Sequence, residues 1–453
     1  MISYDRISHK SFNGYLFIWI SQFISLFGSN IVSFAVIWYL TVQTESSLIL
    51  SLASIASIVP MILVSPLAGV ISDRANKNLI LIVTDFTQAA ATFALIILFH
   101  FNLAQLWHII ALLAIRGSCQ GFQNPVSVAV TSLMVPEEKI KNINSFNQIL
   151  MSLLNIASPA IGVVAISHFS IEQIYWLDVF TFIPAAIVLM LIRIPSVHKF
   201  AQKEESQDNG TQNDSKSGFK QDFQEGLHYI KESGLSSIFT MFGIANFIVV
   251  PIFSLFPLLI LEYHGGGAPE YSWVEILFQV GLIIGALLLM LSKKKGSMKS
   301  VIISGIILSV ILLVLALVPR GWFLLFYIIC FIMGVNLAYI DTQLISMLQT
   351  TIPKELQGRV FATMFTIIKA LNPIGLIIWG IIGESIPVLL IFFIAPGLSL
   401  VVYFILLKFT NMMHYGEKYG NDEQVAENVM LGDSMEPAFG KNEESEIEPV
   451  VFP

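Results

Sequence analysis

Residues 47–71 read SLILSLASIASIVPMILVSPLAGVI, and this stretch carries no charged side chain. A helix needs about 20 mostly apolar residues to cross the hydrocarbon core of a bilayer, because each residue advances it by about 1.5 Å. The apolar residues run continuously instead of alternating with polar ones, which indicates a helix and not a strand of a membrane barrel. The stretch therefore predicts one transmembrane helix.

The same pattern recurs along the rest of the chain. The whole sequence has 453 residues, is 55% hydrophobic and 12% charged, and has a mean hydropathy of +0.76. Soluble globular proteins carry about 25% charged residues, so a soluble protein is excluded. We predict an all-α integral membrane protein with twelve spans, numbered one to twelve in chain order. They cover residues 15–40, 47–71, 79–99, 105–130, 145–167, 173–194, 235–261, 272–292, 300–319, 322–348, 358–383 and 388–409.

The placement of lysine and arginine predicts the orientation of these spans. Loops on one side of the predicted membrane hold most of the basic residues, and the loops on the other side hold Arg320 alone. Because basic loops stay on the cytoplasmic side, both termini are expected in the cytoplasm of a multi-pass cell-membrane protein. The basic loop residues are Arg74, Lys77, Lys139, Lys141, Lys293, Lys294, Lys295, Lys299, Lys354 and Arg359.

A long polar break at 195–234 divides six spans from six. It predicts a six-helix bundle at 1–194, a cytoplasmic linker, and a second six-helix bundle at 235–409. A weak repeat supports the division, because Pro136 and Pro159 are 23 residues apart and Pro353 and Pro373 are 20 apart at corresponding places. Internal repeats in a helical membrane protein are typical of transporters that rock one half against the other.

The linker and the C-terminal tail are polar. Phe219, Phe223, Leu227 and Ile230 in the linker recur at helical spacing, which fits an amphipathic helix on the inner membrane surface or a short helix packed on other loops. The tail at 410–453 holds most of the net negative charge, since its residues 417–453 contain ten acidic and two basic side chains. We expect this acidic tail to be disordered and solvated.

Three ionisable residues are predicted near the middle of the bilayer. Arg116, Asp341 and Lys369 each lie at least about 10 Å inside a span, where a charge costs at least about 2.5 kcal/mol. Asp341 and Lys369 lie on consecutive spans at similar depth, so they are expected to form an ion pair or a water-bridged pair that either couples transport or joins two helices. Because eight of the other spans contain no carboxylate, Asp341 is the leading candidate for a proton-titrating site.

The remaining polar residues inside spans have more than one interpretation. Arg116 keeps its proton, so it either binds an anionic substrate group or is held by backbone carbonyls and a carboxylate. Asp85 and Asp178 are expected to make local hydrogen bonds to neighbouring helices. Gln22 and Asn30 in span one are candidates for the lining of a cavity.

The turn after span two contains Gly69, Asp73, Arg74 and Lys77 in the pattern G-x-x-x-D-R-x-x-K. This pattern resembles the signature loop of the major facilitator superfamily. The resemblance implies two pseudo-symmetric six-helix bundles. It also implies that Asp73 and Arg74 help to lock the cytoplasmic side in the outward-facing state, and that spans one, four, seven and ten line the cavity.

Further segments carry the same resemblance. Span five contains Ser158-Pro159-x-x-Gly162, which resembles the antiporter motif of the superfamily, and Pro373 with Gly375 takes the corresponding place in span eleven. The stretches 37–41, 135–138 and 265–271 look like the macrolide-efflux branch of drug:proton antiporters. This resemblance implies that Pro159 and Gly162 shape a bend that prevents leakage during exchange.

The sequence is thus interpreted as an exporter of amphiphilic small molecules, driven by protons, and not as an enzyme. No Gly-rich phosphate-binding motif and no cluster of metal ligands is evident, so no cofactor is expected beyond the proton gradient. The expected partners are the substrate, protons and lipid; a monomer is expected, and no nucleic acid. Two alternatives stay open. One is a siderophore or lysophospholipid exporter of the same fold, and the other is a membrane sensor or immunity protein that transports nothing.

Overall fold

The computed structural model describes residues 9–192, 194, 227–231, 233, 235–291 and 297–409. Within these residues the chain forms twelve long helices that cross the molecule in alternating directions, and it contains no strand. The helices are α1 His9–Thr44, α2 Ser47–Arg74, α3 Lys77–His100, α4 Leu106–Met134, α5 Glu137–His168, α6 Ile171–Leu191, α7 Leu235–Phe253, α8 Ala268–Leu291, α9 Met298–Ala316, α10 Phe323–Thr351, α11 Lys354–Gly383 and α12 Val388–Phe409.

Each predicted span coincides with one helix except span seven, whose helix α7 ends at Phe253 instead of 261; the largest difference at a helix start is that α5 begins at Glu137 instead of 145. Prolines explain where several helices begin. Pro136 and Pro353 occupy the N-cap positions of α5 and α11, since a proline cannot continue the preceding helix but fits at the start of the next. Serines cap others; the Ser46 side chain, for example, accepts a hydrogen bond from the Ile49 amide at the start of α2.

The twelve helices differ in how apolar they are. Among the described residues, nine meet the length and hydropathy of a membrane span, and ten do if the bent α7 segment counts as one span. α4 does not reach that hydropathy, and in α11 only the part at Ala370–Gly383 is apolar. Both helices carry polar side chains inside the molecule, which is expected of helices that do not face lipid alone.

The packing of the helices repeats between the two halves. In the first half α1 packs on α5 and α6, α4 packs on α2 and α3, and α3 also packs on α6. In the second half α7 packs on α11 and α12, α10 packs on α8 and α9, and α9 also packs on α12. Each of these five pairs in the first half therefore has a counterpart six helices later, which is the arrangement of two pseudo-symmetric six-helix bundles.

Glycines set the tightest of these contacts in both halves. A Cβ atom at Gly117 of α4 would lie 2.2 Å from the Ser57 carbonyl oxygen of α2. A Cβ atom at Gly281 of α8 would lie 2.2 Å from the Phe331 carbonyl oxygen of α10. Membrane helices gain little from burying apolar surface, so close backbone approach at small residues supplies the packing.

Among the spans that the structure describes, α7 is the one whose helix is interrupted. After Phe253 the chain continues through a short turn at Phe256–Leu258 and a π-helical turn at Leu259–His264, bent by 40° from the first part. Gly265 then ends this segment with φ of +68°, a backbone conformation that glycine adopts without steric cost.

Little of the linker and none of the tail lies within the described residues. Residues 227–231 are helical, and Tyr229 and Ile230 are buried in the same apolar cluster as residues of α7, α10 and α11. This short piece packs on the protein. Phe219 and Phe223, and with them the predicted amphipathic surface, lie outside the described residues, as does the acidic tail at 410–453.

Candidate functional site

The two halves meet at one end of the molecule, which we call the latch face and define by the α1–α2 and α11–α12 loops. There Glu384, just after α11, accepts hydrogen bonds from the Ser46 hydroxyl at 2.6 Å and from the Leu48 amide at 3.0 Å. The Ser47 hydroxyl donates to the Gly380 carbonyl at 2.8 Å. A carboxylate of the second half thus caps the first turn of α2 in the first half, where the helix presents unpaired amides.

The charge state of Glu384 follows from these bonds. The hydrogen bond from the Ser46 hydroxyl is the largest cause that holds the pKa of Glu384 below its usual range, and the Leu48 amide acts in the same direction. Hydrogen bonds to the ionised form favour it. At neutral pH the Glu384 carboxylate is therefore ionised, and it accepts these hydrogen bonds as a charged group.

A stack of aromatic rings forms a second contact between the halves. The Tyr271 ring of α8 is stacked on Phe34 of α1, with centroids 5.2 Å apart and planes 9° apart, and on Trp38 with centroids 5.9 Å apart. All three side chains are buried. We call this set the ring stack, and it closes the space between the halves near the latch face.

We call the opposite end, where α1 begins and α12 ends, the terminal face. Among residues 138–151 of α5 only Ile143 is buried, so this part of α5 is exposed on more than one side. Its apolar exposed side consists of Phe146, Ile149 and Leu153. Its polar exposed side contains Asn144, Gln148 and Asn155, at helical spacing on the opposite side.

Two exposed sides of opposite character imply two different solvents. The apolar side suits lipid, whereas amides in hydrocarbon would lack hydrogen-bond partners. α4 repeats the pattern with a polar exposed side formed by Gln120, Asn124 and Ser127. We conclude that a water-accessible vestibule lies between the halves and opens at the terminal face.

The wall of the second half carries carboxylates, whereas the polar side of α5 is neutral from Asn144 inward and has a charge, that of Lys141, only nearer the terminal face. On α10, Asp341 is exposed and lies on the side of the helix away from Ile328 and Ile332, two exposed apolar residues. On α8, Glu275 is partly exposed and lies one turn from Tyr271 of the ring stack. Both carboxylates therefore face away from the lipid-exposed sides of their helices.

Asp341 was selected from the sequence by elimination, whereas Glu275 was missed. The signal for Glu275 was available, because it is a carboxylate seven residues inside α8. The predicted ion pair between Asp341 and Lys369 stays a prediction: Lys369 lies in α11, but its side chain is outside the described residues.

Arg116 lies inside the first bundle and not in the vestibule. It is 5% exposed, and its guanidinium donates to the Ser29 carbonyl at 3.3 Å and to the Asp178 carboxylate at 3.4 Å. The Ser29 and Thr92 hydroxyls donate to the same carboxylate at 2.6 and 3.0 Å. Of the two interpretations of Arg116, the structure has the one in which a carbonyl and a carboxylate hold it.

Asp85 forms a second polar centre in the first bundle. Gln22 of α1 and Gln123 of α4 donate their side-chain amides to its two oxygens at 2.7 and 2.6 Å. Gln22 is therefore occupied by this contact between helices, although it was predicted as part of a cavity lining. Asn30, the other candidate in span one, is half-buried in α1.

The residues of the signature pattern lie at the terminal face. Lys77 is buried, and its ammonium donates to the Ser72 carbonyl at 2.9 Å. A Cβ atom at Gly69 would meet nothing within 4 Å, so none of the described residues packs closely against this glycine. Asp73 and Arg74 end α2, and their side chains lie outside the described ones.

The predicted helix-bend residues occupy matching contacts in the two halves. Pro159 lies inside α5 and Pro373 inside α11. A Cβ atom at Gly162 would lie 2.5 Å from the Phe34 ring of α1, and one at Gly375 would lie 2.4 Å from the Phe247 carbonyl oxygen of α7. These glycines let α5 and α11 pack closely on the first helix of their own halves.

Relatives identified by sequence include transport proteins from several bacteria. Macrolide efflux protein A of Streptococcus pyogenes is 31% identical over 373 residues, which cover 82% of this chain and 89% of that protein. Macrolide efflux protein A of Enterococcus faecalis is 30% identical over 333 residues, 73% of this chain and 99% of that protein. The multidrug efflux pump Tap of Mycolicibacterium fortuitum is 22% identical over 370 residues, 79% of this chain and 86% of that protein.

Solved structures share the fold at lower identity. The nucleoside transporter NupG has a TM-score of 0.62 and 14% identity, covering 87% of this chain and 98% of that one. A bacterial homologue of the iron transporter ferroportin in an inward-facing state has a TM-score of 0.63 and 13% identity, covering 87% and 98%. The sequence profile of the Major Facilitator Superfamily matches residues 18–371. The chain therefore belongs to the major facilitator superfamily of membrane transporters and is not an enzyme.

Proposed function

We propose that the chain is a secondary active exporter of amphiphilic, macrolide-like small molecules, driven by exchange for protons. The observation that carries this proposal is the vestibule, which has a neutral amide wall on α4 and α5 and carboxylates on the facing wall of α8 and α10. The relatives named as macrolide efflux proteins support the cargo class.

The direction of transport depends on the orientation of the chain. With both termini in the cytoplasm, as the basic loops predict, the vestibule is open to the cytoplasm and collects its cargo there. Separation of the latch face and closure of the terminal face then release the cargo outside. This movement is the rocking of two repeats around a fixed central site.

The mechanism assigns the protons to the vestibule carboxylates. A carboxylate that takes a proton from outside becomes neutral, and a neutral group crosses the low-dielectric interior at lower cost than a charged one. Loss of the proton to the cytoplasm restores the charge for the next cycle. Asp341 is exposed in the vestibule and has the accessibility that this exchange requires.

The test is transport of erythromycin into everted membrane vesicles in which respiration generates a proton gradient. We expect uptake that a protonophore abolishes, and we expect Asp341→Asn to lose this gradient-dependent uptake while inserting normally in the membrane. The Glu172→Gln variant is the control, because Glu172 lies at the start of α6 beside His100. Binding of erythromycin without uptake would instead favour a sensor, and uptake insensitive to the protonophore would exclude proton exchange.

A further inference from the structure

Glu275 lies deep in the molecule at the closed end of the vestibule. It is seven residues, or about 10 Å, inside the latch-face end of α8. The exposed residues Trp273 and Ile284 mark the lipid side of α8, and helical geometry puts Glu275 on the opposite side, together with Tyr271 and Gln279. The partial exposure of Glu275 is therefore exposure to the vestibule and not to lipid.

The surroundings of Glu275 combine a carboxylate with aromatic rings. Tyr271 lies one helical turn away on the same side of α8, and Cys330 of α10 is also close to Glu275. Neither neighbour carries a positive charge. Through Tyr271 the carboxylate lies directly below the ring stack with Phe34 and Trp38.

Among the described residues inside the membrane, no positively charged side chain is paired with the Glu275 carboxylate. Arg116 is buried in the first bundle, where Asp178 already neutralises it. The facing vestibule walls offer amides and hydroxyls, such as Gln120 and Gln148, which carry no charge. An ionised carboxylate at this depth is costly, and a cation that enters the vestibule removes much of that cost.

We propose that Glu275 binds the protonated amine of the cargo, while the ring stack of Tyr271, Phe34 and Trp38 forms the apolar ceiling of the site. An ammonium donates a charge-assisted hydrogen bond to a carboxylate, and it is also attracted to the faces of aromatic rings. The inference rests on the proposed export of amphiphiles and narrows the cargo to weak bases. Neutral amphiphiles of the same shape are bound more weakly.

The experiment compares two probes on the purified full-length chain. One probe is erythromycin, which carries a tertiary amine, and the other is an erythromycin derivative whose amine has been converted to an uncharged amide. We expect the wild-type chain to bind the amine about tenfold more tightly, which corresponds to about 1.4 kcal/mol. We expect Glu275→Gln to bind both probes equally and Glu172→Gln to keep the wild-type preference.

Two further measurements keep the test decisive. Glu275→Asp retains the charge on a shorter side chain and should keep part of the preference, and thermal unfolding of each variant identifies loss of fold. An unchanged preference for the amine in folded Glu275→Gln overturns the site but leaves the proposed export standing. A wild-type chain that binds neither probe overturns the proposed cargo and this site together.

Discussion

The buried Arg116–Asp178 pair gives the first prediction at the scale of single residues. Asp178→Asn removes the carboxylate and leaves the Arg116 guanidinium in the bundle without a negative partner. Breaking one side of a buried ion pair costs about 3 kcal/mol or more, so the variant should unfold at a clearly lower temperature. Thermal unfolding of the purified protein measures this change.

Asp85→Asn is the matched control for this prediction. Asp85 is also a buried aspartate, but its recorded side-chain partners are the amides of Gln22 and Gln123 and not a cation. Its replacement should cost about 1 kcal/mol, the worth of an ordinary hydrogen bond. Equal losses in the two variants would contradict the stabilising role assigned to the ion pair.

Glu384 gives the second prediction, which concerns the latch face. Glu384→Gln removes the charged cap of α2, so the halves should separate there more often. The side chain is exposed, and loss of a cap costs about 1 kcal/mol, which predicts about a fivefold increase in the open population. Labelling of Ser51→Cys reports this opening, because Ser51 of α2 is buried against Gly380 of α11.

The background for this assay is favourable, since Cys119 and Cys330 are both buried. The sign of the pH dependence follows from the lowered pKa of Glu384. The carboxylate contributes its full stabilisation above the ordinary glutamate pKa, and this contribution is lost as pH falls through the lowered value. Because the reactive thiolate becomes rarer in acid, the labelling rate of Ser51→Cys is compared at each pH with that of a permanently exposed cysteine. This ratio should rise in acid, and Glu384→Gln should remove that rise.

The sequence indicates how deep a polar residue lies in the molecule, but it does not indicate which side chain that residue contacts. The burial of Arg116 follows from its place inside an apolar run, but its partner Asp178 is 62 residues away, and helix order in space decides that contact. The same limit hid the Glu384 contact with α2, which joins residues 336 positions apart. Glu275 was missed for another reason. The elimination excluded only spans without a carboxylate, so span eight with Glu275 was not excluded, but Asp341 was preferred as the proton site.

Close packing between α8 and α10 gives a prediction at the scale of helices. Gly281→Ala puts a Cβ atom 2.2 Å from the Phe331 carbonyl oxygen, so the two backbones must separate. Overpacking of this kind costs about 1–3 kcal/mol, more than alanine gains in helix propensity. Gly397→Ala in α12 is the control, because its Cβ atom would meet nothing within 4 Å.

The thermal unfolding temperature should therefore be lower for Gly281→Ala than for the wild-type protein. For Gly397→Ala it should be unchanged or slightly higher. An unaffected Gly281→Ala protein would mean that α8 and α10 can separate freely.

The positions of the membrane helices could be predicted from the sequence, because an apolar run of about 20 residues is long enough to cross a bilayer and indicates a transmembrane helix. The bend after Phe253 could not be predicted, since neither charge nor hydropathy marks the π-helical turn at Leu259–His264.

At the scale of the whole molecule, the closed latch face and the open terminal face are two consequences of one arrangement. Contacts between the halves join α2 to α11 and α5 to α8, the pairs related by the internal repeat. Near the terminal face, a Cβ atom at Gly69 would meet none of the described atoms within 4 Å. The sequence contained the repeat, but it could not reveal which end is open, because both arrangements use the same helices.

The open terminal face leads to the last prediction. Gln148→Cys puts a thiol on the polar exposed side of α5, whereas Leu153→Cys puts one on its apolar side. A thiol reacts as the thiolate, which forms in water and not in lipid. A charged, membrane-impermeant maleimide should therefore label Gln148→Cys readily and Leu153→Cys at least about tenfold more slowly.

The side from which the reagent acts tests the orientation of the chain at the same time. With cytoplasmic termini, Gln148→Cys should react in everted vesicles and stay protected in right-side-out ones, because the ring stack and the Glu384 contacts close the other end. Equal labelling of both cysteines would contradict the existence of a water-accessible vestibule, because it would mean that both sides of α5 face the same solvent. Labelling of Gln148→Cys from outside alone would reverse the membrane orientation and, with it, the direction of transport.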